Sequence, residues 1–144
     1  MAQLRRPRKT NAALSATLDA ELVQAARAVR ANSYSPYSKY AVGAAVRAAS
    51  GEIYTGVNVE NAAYPLTICA ERAAIFAAVS QGERSFTAIA VVTANGGTPC
   101  GACRQVLAEF KVPSILVAGT RRRTLRYSLA ELLPHSFDAR KLPR

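Results

Sequence analysis

The order of helical and extended segments in the second half of the chain constrains the fold most strongly. Residues 68–80 have helical periodicity, "FTAIAVVTA" is a continuously apolar strand, "CGACRQVLAEF" predicts a second helix and "SILVAG" predicts a second buried strand. Strands that alternate with helices pair in parallel through right-handed crossovers. The sequence therefore predicts an α/β protein in which helices cover both faces of a sheet.

The first half of the chain adds a helix and a hairpin. Residues 18–31 carry apolar side chains on one face and acidic residues in the first turn, which predicts a helix. The segments "AVGAAVRAA" and "GEIYTGVNV" meet at a Ser-Gly turn and predict a β-hairpin, so the sheet should be mixed. Residues 128–134 have the spacing of a capping box followed by proline, which predicts a short helix.

The distribution of charge separates the periphery from the body of the chain. The net charge is +10, and the excess lies in residues 1–10, 120–127 and 138–144. We interpret residues 1–16 as a basic flexible arm and residues 17–144 as one domain, a length that suits a single core. The basic segments indicate a solvated periphery, and they leave open weak binding to nucleic acid.

The apolar segments and the cysteine content favour a cytoplasmic protein. Each apolar run is shorter than the roughly 18–20 residues that span a bilayer, which argues against a membrane protein. The basic N-terminus lacks a following apolar segment, which argues against a secretory signal, whereas an organelle transit peptide stays an alternative. Three cysteines without such a signal argue against a disulfide scaffold.

Cys100 and Cys103 form a C-x-x-C pair at the predicted start of a helix. Such a pair is typical of a redox site, of half a structural zinc site or of part of a catalytic metal site. A structural zinc site takes four protein ligands, yet Cys69 is the one remaining cysteine and His135 the single histidine. This shortage favours an open site in which water completes the coordination of the metal.

The segment "CAER" places two charged side chains in an otherwise apolar helix. Glu71 beside a metal, but not bound to it, can take a proton from a zinc-bound water and return it. Arg72 can donate to a thiolate sulfur and withdraw the charge that three thiolates place on Zn²⁺, and Arg104 is a second candidate for this role. The alternatives are a salt bridge for Glu71 and surface positions for the arginines.

These motifs resemble the zinc-dependent cytidine deaminases in their small homotetrameric form. "CAER" is followed by "PCGACRQVLAEF", and "YSPYSKYAVGAAV", "GEIYTGVNVENAAYPLTICAERAAI" and "ELLPHSF" match in order, so the resemblance covers about residues 18–138. The resemblance implies a three-layer α/β/α sandwich with a mixed five-stranded sheet. It also implies a homotetramer whose active sites are shared between subunits.

The resemblance implies one Zn²⁺ per subunit, held by Cys69, Cys100 and Cys103. Glu71 would carry protons from the metal-bound water to ring nitrogen N3 and then to the leaving amine, while hydroxide attacks C4 of cytosine. The implied function is hydrolytic deamination of the nucleosides cytidine and deoxycytidine to uridine and deoxyuridine, with release of ammonia, in pyrimidine salvage.

The resemblance also assigns residues to the substrate. Asn58 and Glu60 would hold the ribose 3′-hydroxyl. Without the resemblance, the two residues are interpreted as neighbours on one side of a strand end. The alternative is an asparagine in a turn and a solvated glutamate. Ala70 would bond the base through its backbone, and Tyr40 falls where the family stacks an aromatic ring on the base. Phe137 would stack on the base from a neighbouring subunit, and Tyr64 would complete a neighbour's pocket. Tyr40 departs from the family pattern, in which phenylalanine is usual.

Two further functions remain open at the level of the sequence. One is deamination of a related nucleoside antibiotic or of cytosine in a polynucleotide, which "NVEN" disfavours if it encloses the 3′-hydroxyl. The other is a zinc-stabilised nucleic-acid-binding module, which the charge favours and the missing fourth ligand disfavours.

Overall fold

The computed structural model describes residues 11–121 and 123–143. Within these residues, no helix combines the length and the apolar content needed to cross a membrane. The regular elements are, in chain order, α1 (Asn11–Val29), β1 (Gly43–Ala48), β2 (Ile53–Val57), α2 (Ala70–Ser80), β3 (Phe86–Thr93), α3 (Gly101–Glu109), β4 (Ile115–Gly119), β5 (Leu125–Tyr127) and α4 (Leu129–Leu132).

The strands form one mixed sheet in the order β2-β1-β3-β4-β5. The predicted hairpin is present, since β1 pairs antiparallel with β2, and its other edge pairs antiparallel with β3. Strand β3 pairs in parallel with β4, and α3 forms the crossover between them. The prediction of a mixed five-stranded sheet is confirmed.

Side chains of alternating size separate the two faces of the sheet. Helix α1 packs on one face, where small residues such as Ala45 and Ala90 admit its buried Leu22. Helices α2 and α3 pack on the other face against larger residues such as Ile89, because successive side chains of a strand point to opposite sides. The three-layer α/β/α sandwich is confirmed.

Two elements, α1 and β5, differ from what the residue patterns predict. Helix α1 begins at Asn11, so residues 11–16, expected in the arm, form its first turns; residues 1–10 lie outside the described part of the chain. Strand β5 falls within the basic loop, where the residue pattern indicates no strand. Its three residues are partly or fully exposed, so they lack the continuous apolar run that identifies a buried strand.

A close backbone approach positions α2 on the sheet. A Cβ atom added at Gly56 of β2 would lie 2.4 Å from the backbone nitrogen of Ala74 and 2.5 Å from the carbonyl oxygen of Ala70. Such distances leave no room for a methyl group, so only glycine lets the backbones of β2 and α2 meet. This contact lies within the first turns of α2, next to the predicted site.

Candidate metal centre and substrate cavity

The predicted zinc ligands Cys69 and Cys100 occupy equivalent places at the starts of two helices. Each is the last extended residue before a helix: Cys69 precedes α2 and Cys100 precedes α3. Cys103 follows one turn into α3 and is fully buried. Because helix N-termini carry partial positive charge, this arrangement stabilises thiolates.

The three sulfur atoms lie close enough to hold one metal ion. Cys69 Sγ is 3.9 Å from Cys100 Sγ, Cys100 Sγ is 3.6 Å from Cys103 Sγ, and all three lie within 4.8 Å of one another as free thiols. Zinc bound at about 2.3 Å in a tetrahedral site separates its sulfur ligands by about 3.8 Å. The donor atoms and their spacing therefore fit Zn²⁺.

The cluster of three sulfurs disfavours two alternative interpretations of the C-x-x-C pair, a redox site and a structural zinc site. A redox pair needs two sulfurs, and a structural zinc site needs a fourth ligand. His135 lines a separate surface depression with Asp138 and Arg140. Among the described residues, the group able to bind a metal consists of the three cysteines alone, which favours an open zinc site.

Arg72 lies beside a cysteine sulfur, where the sequence predicts that it donates to a thiolate. Its Nη2 donates to Cys69 Sγ over 3.3 Å. Hydrogen bonds from Cys103 and from Arg72 lower the pKa of the Cys69 thiol to about 5. The reciprocal hydrogen bond raises the pKa of Cys103, and the bond to Cys69 raises the pKa of Arg72. The guanidinium therefore stabilises negative charge on sulfur.

Arg104 takes a different place from the one expected. Its Nε donates to the Pro99 carbonyl over 2.7 Å, its Nη1 to the Leu132 carbonyl over 2.6 Å and its Nη2 to Thr98 Oγ1 over 2.9 Å. These bonds direct the guanidinium to the loop before Cys100 and to α4. Arg104 thus connects α3 to this loop and to α4, and its hydrogen bonds go to oxygen atoms rather than to a sulfur.

Glu71 lines the same cavity as Cys69 and Cys100 and is almost fully buried, with 5% of its surface exposed. Burial raises the pKa of its carboxyl group. The cavity has a volume of about 190 Å³. The predicted site residues that line it are Tyr40, Asn58, Cys69, Ala70, Glu71 and Cys100.

Asn58 and Glu60 lie on adjacent parts of the site. The Oδ1 atom of Asn58 accepts from Ser33 Oγ at 2.5 Å and from the Val42 amide at 2.9 Å, while its Nδ2 donates to the Tyr40 carbonyl at 2.8 Å. One amide hydrogen of Asn58 remains beyond these three bonds. The side chain thus supports the cavity wall and keeps one donor hydrogen for a ligand.

Glu60 lies in a neighbouring depression that shares Thr67 with the cavity. Its Oε1 accepts from the backbone amides of Tyr37 at 3.0 Å and Ser38 at 3.1 Å. Hydrogen bonds from Ser38 and Tyr37 lower the pKa of the Glu60 carboxyl group. A carboxylate held in this way keeps its second oxygen available to a ligand.

The remaining predicted aromatic residues lie on the surface of the subunit. Tyr64 is 72% exposed and packs edge-on against Tyr37, with ring centroids 6.0 Å apart. Phe137 is 57% exposed, and its carbonyl accepts from Gln105 Nε2 at 2.9 Å. The structure therefore does not bring Tyr64 and Phe137 into the cavity of their own subunit.

Residues not singled out in the sequence also line the cavity. Thr93, at the end of β3, and Gly97, in the following loop, complete the wall that leads to Cys100. The sequence could have indicated them, because Thr93 is a polar residue at the end of a predicted buried strand and comes directly before the segment that carries two of the cysteines. Ligand-binding residues of α/β sheets collect at such strand ends.

A family model supports the assignment that this geometry suggests. The model for the cytidine and deoxycytidylate deaminase zinc-binding region matches residues 16–119. The chain belongs to the zinc-dependent cytidine deaminases. The matched range contains the three cysteines and Glu71.

Individual cytidine deaminases agree with this membership. The chain is 48% identical over 126 residues to the cytidine deaminase of Sporosarcina psychrophila, covering 85% of this chain and 93% of that relative. The crystal structure of the Burkholderia pseudomallei cytidine deaminase matches with a TM-score of 0.78 and 43% identity, over 82% and 98% of the two chains. That of Mycobacterium leprae matches with a TM-score of 0.70 and 42% identity, over 81% and 97%.

Proposed function

We propose that this cytidine deaminase hydrolyses cytidine and deoxycytidine to uridine and deoxyuridine, with release of ammonia. The observation that carries the proposal is the cluster of three cysteine sulfurs beside a cavity that the buried Glu71 lines together with Cys69 and Cys100. The relatives named cytidine deaminase support cytidine as a substrate. We place the enzyme in pyrimidine salvage and in the cytoplasm, whose reducing conditions suit three thiol ligands.

The site residues divide the chemistry between them. Zinc, when held by the three sulfurs, supplies the Lewis acidity that makes water nucleophilic near neutral pH. Glu71 takes a proton from the water that attacks C4 and passes it to ring nitrogen N3. It then delivers a second proton to the exocyclic amine as the C4–N bond breaks, and ammonia leaves. The raised pKa of Glu71 suits a group that must both accept and donate protons.

The surrounding residues bind and orient the nucleoside in this proposal. Asn58 donates its remaining amide hydrogen and Glu60 accepts, so that the pair holds the ribose 3′-hydroxyl. The ring of Tyr40 stacks on the base, and the backbone near Ala70 bonds its edge. The small volume of the cavity, about 190 Å³, suits one base rather than a stacked polynucleotide.

Exposed aromatic residues support an oligomer. Tyr64 and Phe137 are large, exposed and placed beside the cavity elements, so we infer that each reaches the active site of a neighbouring subunit in a homotetramer. Light scattering should then give four times the subunit mass of 15.3 kDa. A monomer that deaminates cytidine at the full rate would contradict the shared site.

The basic loop gives limited support to nucleic acid as a partner. Arg121 and Arg123 are exposed, but Arg126 pairs with Asp19 and donates to Ser114. Part of the loop's charge is therefore neutralised within the subunit. We keep weak, salt-sensitive RNA binding as a secondary proposal, which a salt titration of RNA affinity tests.

The direct test of the proposed function is uridine formation by purified, zinc-loaded protein. Cytidine and deoxycytidine should both be converted, and cytosine within an oligonucleotide should not. The matched control is Glu71→Gln, which keeps the shape of the side chain and removes the base. Wild-type protein that binds zinc and releases no ammonia from either nucleoside would overturn the proposal.

A further inference from the structure

The loop after β3 closes around one buried hydroxyl group. Thr93, which is 2% exposed, accepts from the amides of Gly96 at 2.8 Å and Gly97 at 2.9 Å, and its hydroxyl lies 3.3 Å from Asn95 Oδ1. Gly96 has a φ of 76°, which glycine adopts without strain. The loop is therefore a tight turn that ends just before the Thr98–Cys100 segment.

Tyr40 reaches this loop from the other side of the cavity. Its hydroxyl donates to Asn95 Oδ1 over 2.8 Å, while its carbonyl accepts from Asn58 Nδ2 over 2.8 Å. The tyrosine is thus held at both ends. Because Tyr40, Asn58 and Gly97 all line the cavity, the ring connects the wall formed by Asn58 to the loop that leads to Cys100.

Gly97 is fitted to the hydroxyl group of Tyr40. A Cβ atom at Gly97 would lie 2.6 Å from that oxygen, whereas its next nearest atoms would be Asn95 Oδ1 at 3.6 Å and Tyr40 Cζ at 3.8 Å. The first distance is a clash and the other two are ordinary contacts. Of these three atoms, only the Tyr40 hydroxyl would have to move to admit a methyl group at this position.

We propose that Tyr40, Asn95 and Gly97 act together as positioning residues, in which the Tyr40 hydroxyl fixes the loop against the aromatic ring and so sets the width of the substrate cavity. The inference rests on the proposed function for its kinetic consequence. The aromatic ring alone can stack on a base; the hydroxyl adds the bond to Asn95 and the close contact with Gly97. The three residues form one unit, and their substitutions are coupled.

Kinetics of single and double variants test this unit. Tyr40→Phe should raise KM about three- to tenfold, the effect of one lost hydrogen bond, and Asn95→Ala should raise it at least as much, because it also removes the contact with the Thr93 hydroxyl. Their kcat should change less than about twofold, since neither removes a sulfur ligand or Glu71. The double variant should be no worse than the poorer single variant, because both remove the same bond.

Gly97→Ala gives the sharper comparison. In the wild-type background the methyl group displaces the Tyr40 hydroxyl, and KM should rise at least as much as in Tyr40→Phe. In the Tyr40→Phe background the clash is gone, so Gly97→Ala should add less than twofold. Tyr54→Phe is the matched control, because it removes a tyrosine hydroxyl that bonds Glu83 at 3.3 Å, away from the cavity, and should leave KM unchanged.

Hydrogen–deuterium exchange separates this inference from the proposed function. Exchange in residues 94–98 of the substrate-free protein should be several-fold faster in Tyr40→Phe and Asn95→Ala than in the wild type and in Tyr54→Phe. Wild-type protein without deaminase activity would overturn the proposed function, and exchange alone would then decide the inference. Multiplicative KM effects in the double variants, or unchanged exchange, would overturn the positioning role.

Discussion

Arg72 Nη2 lies 3.3 Å from Cys69 Sγ, and the two residues are one helical turn apart at the start of α2. The spacing of three residues places both side chains on one face of the helix. Within the described residues, Arg72 Nε is buried without a hydrogen-bond partner. The half-buried guanidinium therefore depends on the negative charge of the sulfurs, just as the sulfurs depend on it.

Replacing Arg72 should weaken the metal site without removing a ligand. Arg72→Ala leaves the charge of three thiolates uncompensated, so zinc affinity or kcat should fall about 10- to 100-fold. Competition with a chelator measures the affinity. Arg72→Lys keeps the charge but not the planar donor group, so its zinc affinity and kcat should lie between those of the wild type and of Arg72→Ala. Wild-type zinc affinity and kcat in Arg72→Ala would contradict a role at the sulfurs.

Glu71→Gln separates proton transfer from metal binding. The amide cannot take the proton from water, so kcat should fall about 10²- to 10⁴-fold. Zinc content and thermal stability should match those of the wild type, because Glu71 is not among the residues of the metal-binding group. Elemental analysis and a melting curve provide the checks. Loss of zinc together with activity would mean that Glu71 acts as a ligand.

The residues of the metal centre could be predicted because their chemistry is unusual. Cys69, Cys100 and Cys103 stand at predicted helix starts, and a carboxylate in an apolar helix needs a reason. The direction of Arg104 could not be predicted, since neighbours on a helix point about 100° apart and the acceptors of Arg104 include a carbonyl 28 residues away.

Some elements of the fold could likewise be predicted from the sequence, and others could not. Strands β3 and β4 were predictable because continuous apolar segments mark buried strands, whereas β5 is short and exposed and owes its place to pairing with β4. The start of α1 differed because Asn11–Ser15 is polar and alanine-rich, and it joins the helix without an apolar face of its own. The bond from Tyr40 to Asn95 joins residues 55 positions apart and has no local signal.

Gly56→Ala should loosen the attachment of α2 to the sheet. The added methyl group would lie 2.4 Å from the Ala74 nitrogen, a clash with backbone that the structure can relieve only by moving the helix. Overpacking of this kind lowers the free energy of unfolding by about 1–3 kcal/mol. Chemical denaturation measures the change.

The comparison variant for Gly56→Ala is Gly101→Ala, at the start of α3. Apart from its chain neighbours and the backbone of its own helix, no described atom lies within 4 Å of the methyl group it adds, so the free energy of unfolding should be unchanged or slightly higher. Equal stability in Gly56→Ala and the wild type would show that the approach of β2 to α2 is not tight in solution.

Asn58→Ala should affect both stability and binding. It leaves the Val42 amide and the Tyr40 carbonyl without their side-chain partner, and each unsatisfied group costs about 1–3 kcal/mol. KM for cytidine should rise as well, because the proposed donor to ribose is lost. Asn58→Asp keeps the acceptor for Val42 and should retain more stability than Asn58→Ala. A KM equal to that of the wild type would count against contact with the substrate.

X-ray absorption at the zinc edge tests the central claim most directly. The active enzyme should contain one zinc per subunit, with three sulfur neighbours at about 2.3 Å and one oxygen or nitrogen neighbour at about 2.0 Å. The lighter neighbour should change when a nucleoside analogue binds, whereas the three sulfurs should remain. Four sulfur neighbours, or full activity in protein free of zinc, would contradict the account.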